Sequence, residues 1–191
     1  EIPLLSGGVQ ATYDYKELLE TGLCDMVFRY EGELQVKAFL ERARDPESES
    51  IPWGSAISLQ GKVYELGEPV RDVPMDWDIR PYYSLIDIEN YNKLGSLGAF
   101  SRMVGEGKRF STVLSNRGCR ARCTFCTVRD FNGFGVRQRT VQSVIDEIKF
   151  LVEEKGVQQI DWLDDDLLWN PKRTVELFRG GTTSVGTATA D

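Results

Sequence analysis

The residues of this chain best suited to chemistry are three cysteines, Cys119, Cys123 and Cys126, in the run Gly118-Cys-Arg-Ala-Arg-Cys-Thr-Phe-Cys-Thr. Their spacing is CxxxCxxC, and the chain contains no histidine. Three thiolates on one short loop can hold three irons of a cubane iron–sulfur cluster. The fourth iron is then left without a local protein ligand, and an open metal position is where a substrate or cosubstrate can bind. A structural zinc site normally closes with four ligands, often with histidine among them. Here the one further cysteine, Cys24, lies far upstream in a different segment. A disulfide framework wants an even, dispersed set in a small secreted domain, not a tight triplet. Cys24, in Gly-Leu-Cys-Asp-Met-Val-Phe, reads as a small packed hydrophobe. The spacing points to a three-cysteine cluster loop. A non-catalytic zinc or iron–sulfur binding module is the alternative.

The flanking sequence must hold that loop. Arg109-Phe-Ser-Thr-Val-Leu reads as a short strand, and Ser115-Asn-Arg-Gly breaks it, so the cysteines follow the strand's C-terminal end. Thr140 is placed as the N-cap of a long helix. Val141, Val144, Ile145, Ile148, Leu151 and Val152 then recur at helical spacing as one apolar stripe, and Lys155-Gly156 supplies the stop. Gln159-Ile-Asp-Trp-Leu is a second strand, ending in Asp164-Asp165-Asp166. Pro171 suits the first turn of a further helix, running to Phe178. Strand, loop, helix, repeated, is the start of a parallel α/β barrel, in which chemistry gathers on the loops after the strands.

The N-terminal half has a similar rhythm. Ile2-Pro-Leu-Leu-Ser reads as a strand entering a Gly7-Gly8 turn, followed by a helix over Tyr15–Glu20. Cys24-Asp-Met-Val-Phe is a second strand, and Glu31-Gly-Glu opens a helix carrying Leu34, Val36, Phe39 and Leu40. Short strands alternating with helices imply a doubly wound parallel sheet. Between the halves, residues 46–107 read as a linker with a small hairpin at Gln60-Gly61. A Pro-rich stretch follows, whose Trp77, Tyr82 and Tyr83 are read as packing groups. Residues 179–191 are polar, small and aperiodic, and are expected to be disordered.

The formal charge is −7. Yet Lys108, Arg109, Arg117, Arg120, Arg122, Arg129, Arg137 and Arg139 cluster around the cysteines, with Asp130 the one acid among them. Such a belt would offset the negative charge of a thiolate-bound cluster, against the plain reading of a solvated basic face. The acidic total argues against general nucleic-acid affinity. No apolar run approaches the roughly 18 residues a membrane helix needs. Thiols that must stay reduced, without a targeting segment, suit the cytoplasm of an anaerobic or microaerobic cell.

With Phe125 just before the third cysteine, the motif resembles the signature of the radical S-adenosylmethionine (radical SAM) superfamily. The resemblance implies that SAM chelates the open iron through its amino and carboxylate groups. An electron from the reduced cluster then cleaves SAM to methionine and a 5′-deoxyadenosyl radical, which takes hydrogen from a substrate. It places Phe125 near the adenine and assigns no catalytic residue beyond the cluster ligands. It also implies that the end of the second barrel strand helps bind the SAM amino group, often through Gly-Gly-Glu. Leu163-Asp-Asp-Asp-Leu-Leu looks like an acidic variant of that segment, so Asp164 or Asp165 is expected to reach SAM. The bland alternative is a solvated turn.

The pair Gly-Gly-x-x-Ala-Thr and Asp-x-Val-x-x-x-Glu-Gly-Glu looks like the last third of the cobalamin-binding domain that precedes the barrel in one large subgroup. There Gly7 and Gly8 would line the site of the cobalamin nucleotide tail, where glycine lets backbone approach the ligand. The subgroup's DxHxxG and SxL segments are absent, and Gln10 stands where histidine is frequent. The chain therefore reads as an internal fragment of α/β class. Residues 1–45 would be the C-terminal part of a doubly wound, flavodoxin-like cobalamin-binding domain. Residues 108–178 would be the first βα units of a radical SAM partial (β/α)6 barrel, with the edge of the second strand exposed near Ile160 and Trp162. The implied partners are a small-molecule or peptide substrate and a reductant such as flavodoxin or ferredoxin.

Overall fold

The computed structural model describes residues 2–69, 73–94 and 108–184. The chain divides into two compact units, Glu1–Val73 with Phe125–Gly133, and Pro74–Thr124 with Phe134–Asp191.

The first unit is built on a mixed sheet. Strand β1 (Leu5–Gly7) runs into helix α1 (Val9–Glu20), and β2 (Met26–Phe28) leads to α2 (Glu33–Arg44). Then come β3 (Ser55–Leu59) and β4 (Lys62–Glu65). The sheet order is β1-β2-β3-β4. β1 and β2 are parallel, whereas β2–β3 and β3–β4 are antiparallel. The parallel half is what the alternating strands and helices imply. The hairpin read within the linker instead extends the sheet, because Met26, Val27 and Phe28 pair with Ile57, Ala56 and Ser55. Its turn is a two-residue loop with positive φ at both Gln60 (53°) and Gly61 (73°), the mirror-type geometry that matches strand twist. Helix α1 begins earlier than expected, directly after Gly8, with non-helical dihedrals at Asp14. The core gathers Ala11, Leu19, Cys24, Val27 and Ala56. Cys24 is thus a packed hydrophobe, and burial pushes its thiol pKa up.

The second unit opens with a 3-10 turn (Arg80–Leu85) and helix α3 (Ile88–Leu94). Strand β5 (Phe110–Val113) follows, then the two-residue β6 (Asn116–Arg117). The short helix α4 (Val128–Asn132) groups with the first unit, where Tyr13 donates to Asp130 at 2.7 Å. The chain returns through β7 (Arg137–Gln138), α5 (Val141–Glu153), β8 (Gln159–Trp162) and α6 (Pro171–Ser184).

β5 and β8 are parallel, with Phe110 opposite Gln159 and Val113 opposite Trp162. α5 is the crossover between them, so this is one βαβ unit. The Thr140 side chain caps α5 by accepting from the Ser143 amide. The apolar stripe of α5 packs Val144, Ile148 and Leu151 against Val113, Val157 and Leu177. Ile160 and Trp162 are half-buried against the same core, and Trp162 meets Phe178 edge-on at 5.7 Å. Their side chains point to the helices, and among the described residues β8 pairs only with β5. The outer edge of β5 is covered by Asn92, which accepts from the Phe110 amide at 2.6 Å and donates to its carbonyl at 3.1 Å. A side chain that satisfies both groups blunts an open strand edge.

Helix α6 continues six residues past Phe178, where the sequence reading expected order to end. The reason is Gly180. A Cβ built there would lie 2.1 Å from Ile145 Cδ1, so the glycine lets α6 approach α5 closely rather than stopping the helix. Residues 185–191 of the expected tail, and 70–72 and 95–107 of the expected linker, lie outside the described residues. No helix among the described residues is long and apolar enough to cross a membrane.

Candidate functional site

The cysteine loop starts where β5 ends. Asn116 and Arg117 pair antiparallel with Gln138 and Arg137, so a short β6–β7 ladder closes the base of the loop. At its mouth Gly118 adopts φ +90°, and a Cβ built there would sit 2.4 Å from the carbonyl oxygen of Gly135. Both conditions exclude a side chain. Gly118→Ala is expected to cost about 2 kcal/mol or more of apo-chain stability. Gly135→Ala, at φ +87° but with nothing within 4 Å of its Cβ, should cost less. Denaturant unfolding of the two variants measures this. Equal losses would mean that the approach to Gly135 is not the constraint.

The three carboxylates after β8 fasten successive points of the loop. Asp164 accepts from the backbone amides of Ser115 (2.6 Å) and Asn116 (3.1 Å), from Asn116 Nδ2 (2.9 Å), and from the Ser115 hydroxyl. Asp165 accepts from the Gly118 amide at 3.2 Å. Asp166 pairs with Arg120 Nε at 3.1 Å and lies 4.0 Å from Cys119 Sγ. Arg120 also donates to the Trp169 carbonyl at 3.1 Å. Asp164 and Asp165, one of which is expected to reach SAM, are both hydrogen-bonded to the first half of the loop. The parallel β5–β8 pairing puts the two strand ends side by side, so Asp164 and Asp165 meet backbone amides there.

Beneath lies a buried polar layer. Arg173 donates to Ser115 Oγ (3.2 Å), to the Ser115 carbonyl (3.1 Å) and to the Arg139 carbonyl (2.8 Å). Burial lowers its pKa below the usual guanidinium value. Arg139 pairs with Glu147, donates to the Leu114 carbonyl at 3.1 Å, and shares Glu147 with the Tyr83 hydroxyl, 2.8 Å from Oε1. Burial, then the Glu147 charge, pushes the Tyr83 pKa up. These arginines therefore face carboxylates and carbonyls of their own unit, and Arg109 similarly meets Glu89 at 3.6 Å.

The sequence reading did not single out Ser115, Asn116, Glu147 or Arg173. Glu147 had a visible signal, a carboxylate inside the apolar stripe of α5. Ser115 and Asn116 read only as a strand break.

All four cysteines are free thiols. Cys119 is half-buried and accepts from the Ala121 amide at 3.4 Å, whereas Cys123 and Cys126 are exposed. Phe125 is 87% exposed. Among the described residues no three cysteine, aspartate or glutamate side chains are gathered into a metal-binding group. The donor set itself fits a cubane cluster: three reduced thiols on one loop, anchored at its first half, with soft sulfur as the only ligand type. In the first unit, Gly8 has φ +90° with open space where a Cβ would stand. Its carbonyl accepts from Thr12 Oγ1 at 2.8 Å, and Thr12 Oγ1 accepts from the Tyr30 amide at 2.8 Å. The Gly7-Gly8 turn is thereby tied to the end of the parallel neighbour β2, the end where open α/β sheets place ligands.

No family model matches the chain. It is 28% identical over 192 residues to the cytidylyl-2-hydroxyethylphosphonate methyltransferase of Streptomyces wedmorensis, covering 91% of this chain and 36% of that protein. An uncharacterized methyltransferase of Pyrococcus horikoshii is also 28% identical, over the same shares of both chains. Among solved structures, the fold matches the radical S-adenosylmethionine methyltransferase TsrM from Kitasatospora setae, solved with cobalamin and a 4Fe–4S cluster bound. The TM-score is 0.64 at 16% identity, over 93% of this chain and 33% of that one. It also matches the cobalamin-dependent S-adenosylmethionine radical enzyme OxsB, solved with aqua-cobalamin and S-adenosylmethionine, at TM-score 0.61 and 15% identity. The chain spans about a third of the length of the curated relatives it matches. In sequence, over nine-tenths of its length, this chain is similar to methyltransferases, and in fold it is similar to S-adenosylmethionine radical enzymes solved with cobalamin.

Proposed function

We propose that this chain is the junction of a cobalamin-associated radical SAM enzyme of methyl-transfer type. It would contain the end of a flavodoxin-like cobalamin-binding domain and the first βα units of a partial (β/α)6 barrel. The observation that carries the reading is a CxxxCxxC loop of free thiols leaving the first strand of a βαβ unit. Its first half is fastened to the end of the second strand.

Cys119, Cys123 and Cys126 would hold a 4Fe–4S cluster. When bound, that cluster supplies the electron that cleaves SAM to methionine and a 5′-deoxyadenosyl radical. Phe125, on the same loop, offers an exposed ring for the adenine. Of the two carboxylates proposed for the SAM ammonium, Asp164 and Asp165, Asp164 already accepts four hydrogen bonds from Ser115 and Asn116. Gly7 and Gly8 give backbone access for the cobalamin tail in the parent protein. The electron donor would be a reductant such as flavodoxin or ferredoxin, the substrate a small molecule or peptide, and the setting a reducing cytoplasm.

Anaerobic reconstitution with iron and sulfide tests this. The expected product is a brown chain whose reduced spectrum changes on adding SAM. A colourless chain carrying stoichiometric zinc would support the non-catalytic module instead.

A further inference from the structure

The cysteines would need a loop held in one register, and the structure shows one side chain that both ends and starts that register. Asp164 lies at the end of β8, yet both its oxygens are spent on Ser115 and Asn116, the two residues by which the chain leaves β5. Ser115 and Asn116 are completely buried. Ser115 is gripped from the other side by Arg173, itself 6% exposed, which binds its hydroxyl and its carbonyl. The same serine carbonyl accepts the Arg139 amide at 3.0 Å, just past β7. One carboxylate–serine–guanidinium relay therefore locks the outgoing strand, the returning strand and helix α6 together, four residues before Cys119. The oxygen of the buried Asn116 amide has no partner among the described residues. Nothing but Asp164 and the carbonyl of Asp166 then restrains that side chain.

Resting on the cluster-loop reading above, we infer that Asp164 is the positioning residue of the cysteine loop, acting through Ser115 and Arg173, and not a ligand of the cofactor. Its charge is matched to four donors and to a buried guanidinium. Asparagine at this place would present an amide N–H group to donors that need an acceptor, and would remove one of the carboxylate charges that favour the buried Arg173 guanidinium. The first turn of the loop would then slide, and Cys119 with it.

The test uses the whole chain in two states. In the metal-free protein, hydrogen exchange at the Ser115 and Asn116 amides is followed relative to core amides of α5. Asp164→Asn is expected to speed exchange at the two loop amides by about tenfold relative to the core. Ser115→Ala, which removes only the hydroxyl of the relay, should speed it less, and it stands in if Asp164→Asn does not fold. After reconstitution, the reduced cluster of each variant is examined by electron paramagnetic resonance and potentiometry. A shifted signal and potential are expected for Asp164→Asn. Val157→Ala, which loosens the core at the opposite end of β8, is expected to leave both in place.

Unchanged or uniformly faster exchange would overturn the clamp. Faster local exchange with an unaltered cluster signal would overturn the positioning role. If the parent chain assembles no cluster at all, the functional reading fails while the exchange arm still decides the clamp.

Discussion

Cys119→Ala, Cys123→Ala and Cys126→Ala are each expected to reduce the iron retained after anaerobic reconstitution from about four atoms per chain to below one. Cys24→Ala is expected to leave it unchanged. The difference follows from where the thiols are. The loop cysteines lie within eight residues of one another, and two of them are exposed. Cys24 is 5% exposed, packed with Ala11, Leu19, Val27 and Ala56, and burial raises its thiol pKa, which disfavours the thiolate. Only the thiolate ligates metal. Iron and sulfide assays on the four variants decide the matter. Loss of iron in Cys24→Ala as complete as in the loop variants would show a four-cysteine site and end the open-iron argument.

Glu147→Ala is expected to cost the metal-free chain about 3–5 kcal/mol, the largest stability loss from any single polar residue discussed. Glu147 is 2% exposed and Arg139 6%. The carboxylate answers both the Arg139 guanidinium and the Tyr83 hydroxyl. Removing it strands a buried cation and takes the acceptor from a half-buried phenol in the layer that supports β5. Glu147→Gln keeps an acceptor for Tyr83 and should cost less. Anaerobic urea unfolding gives both numbers. A loss under about 1 kcal/mol for Glu147→Ala, the range of a solvated pair, would mean that water reaches this layer.

Much of this was legible in the residues, for an identifiable reason. The α5 stripe, its Thr140 cap, the Gly156 stop and the strand Gln159–Trp162 are local patterns, and local periodicity decided them. The hairpin turn at Gln60-Gly61 was legible too, because only certain residues tolerate positive φ. What such patterns cannot show is which strand a hairpin joins. Nothing in residues 55–65 says that β3 pairs with β2, and only the register of Ala56 on Val27 does. Residues 179–184 read locally as aperiodic, yet they continue α6, and Gly180 there lets the helix approach Ile145 of α5, a contact between distant residues.

The same division holds at the site. By itself the sequence determined which thiols share one loop and at what spacing, because CxxxCxxC with a neighbouring Phe125 lies within one short segment and survives any arrangement of the rest. It also determined that a strand precedes the loop and a carboxylate run ends the next strand. Only the tertiary structure decided what those carboxylates do. Asp164 and Ser115 are far apart along the chain, and they meet because β5 and β8 are parallel neighbours whose ends coincide. Hydrogen bonds between such distant residues depend on strand order and register, which long-range packing sets and no local pattern encodes.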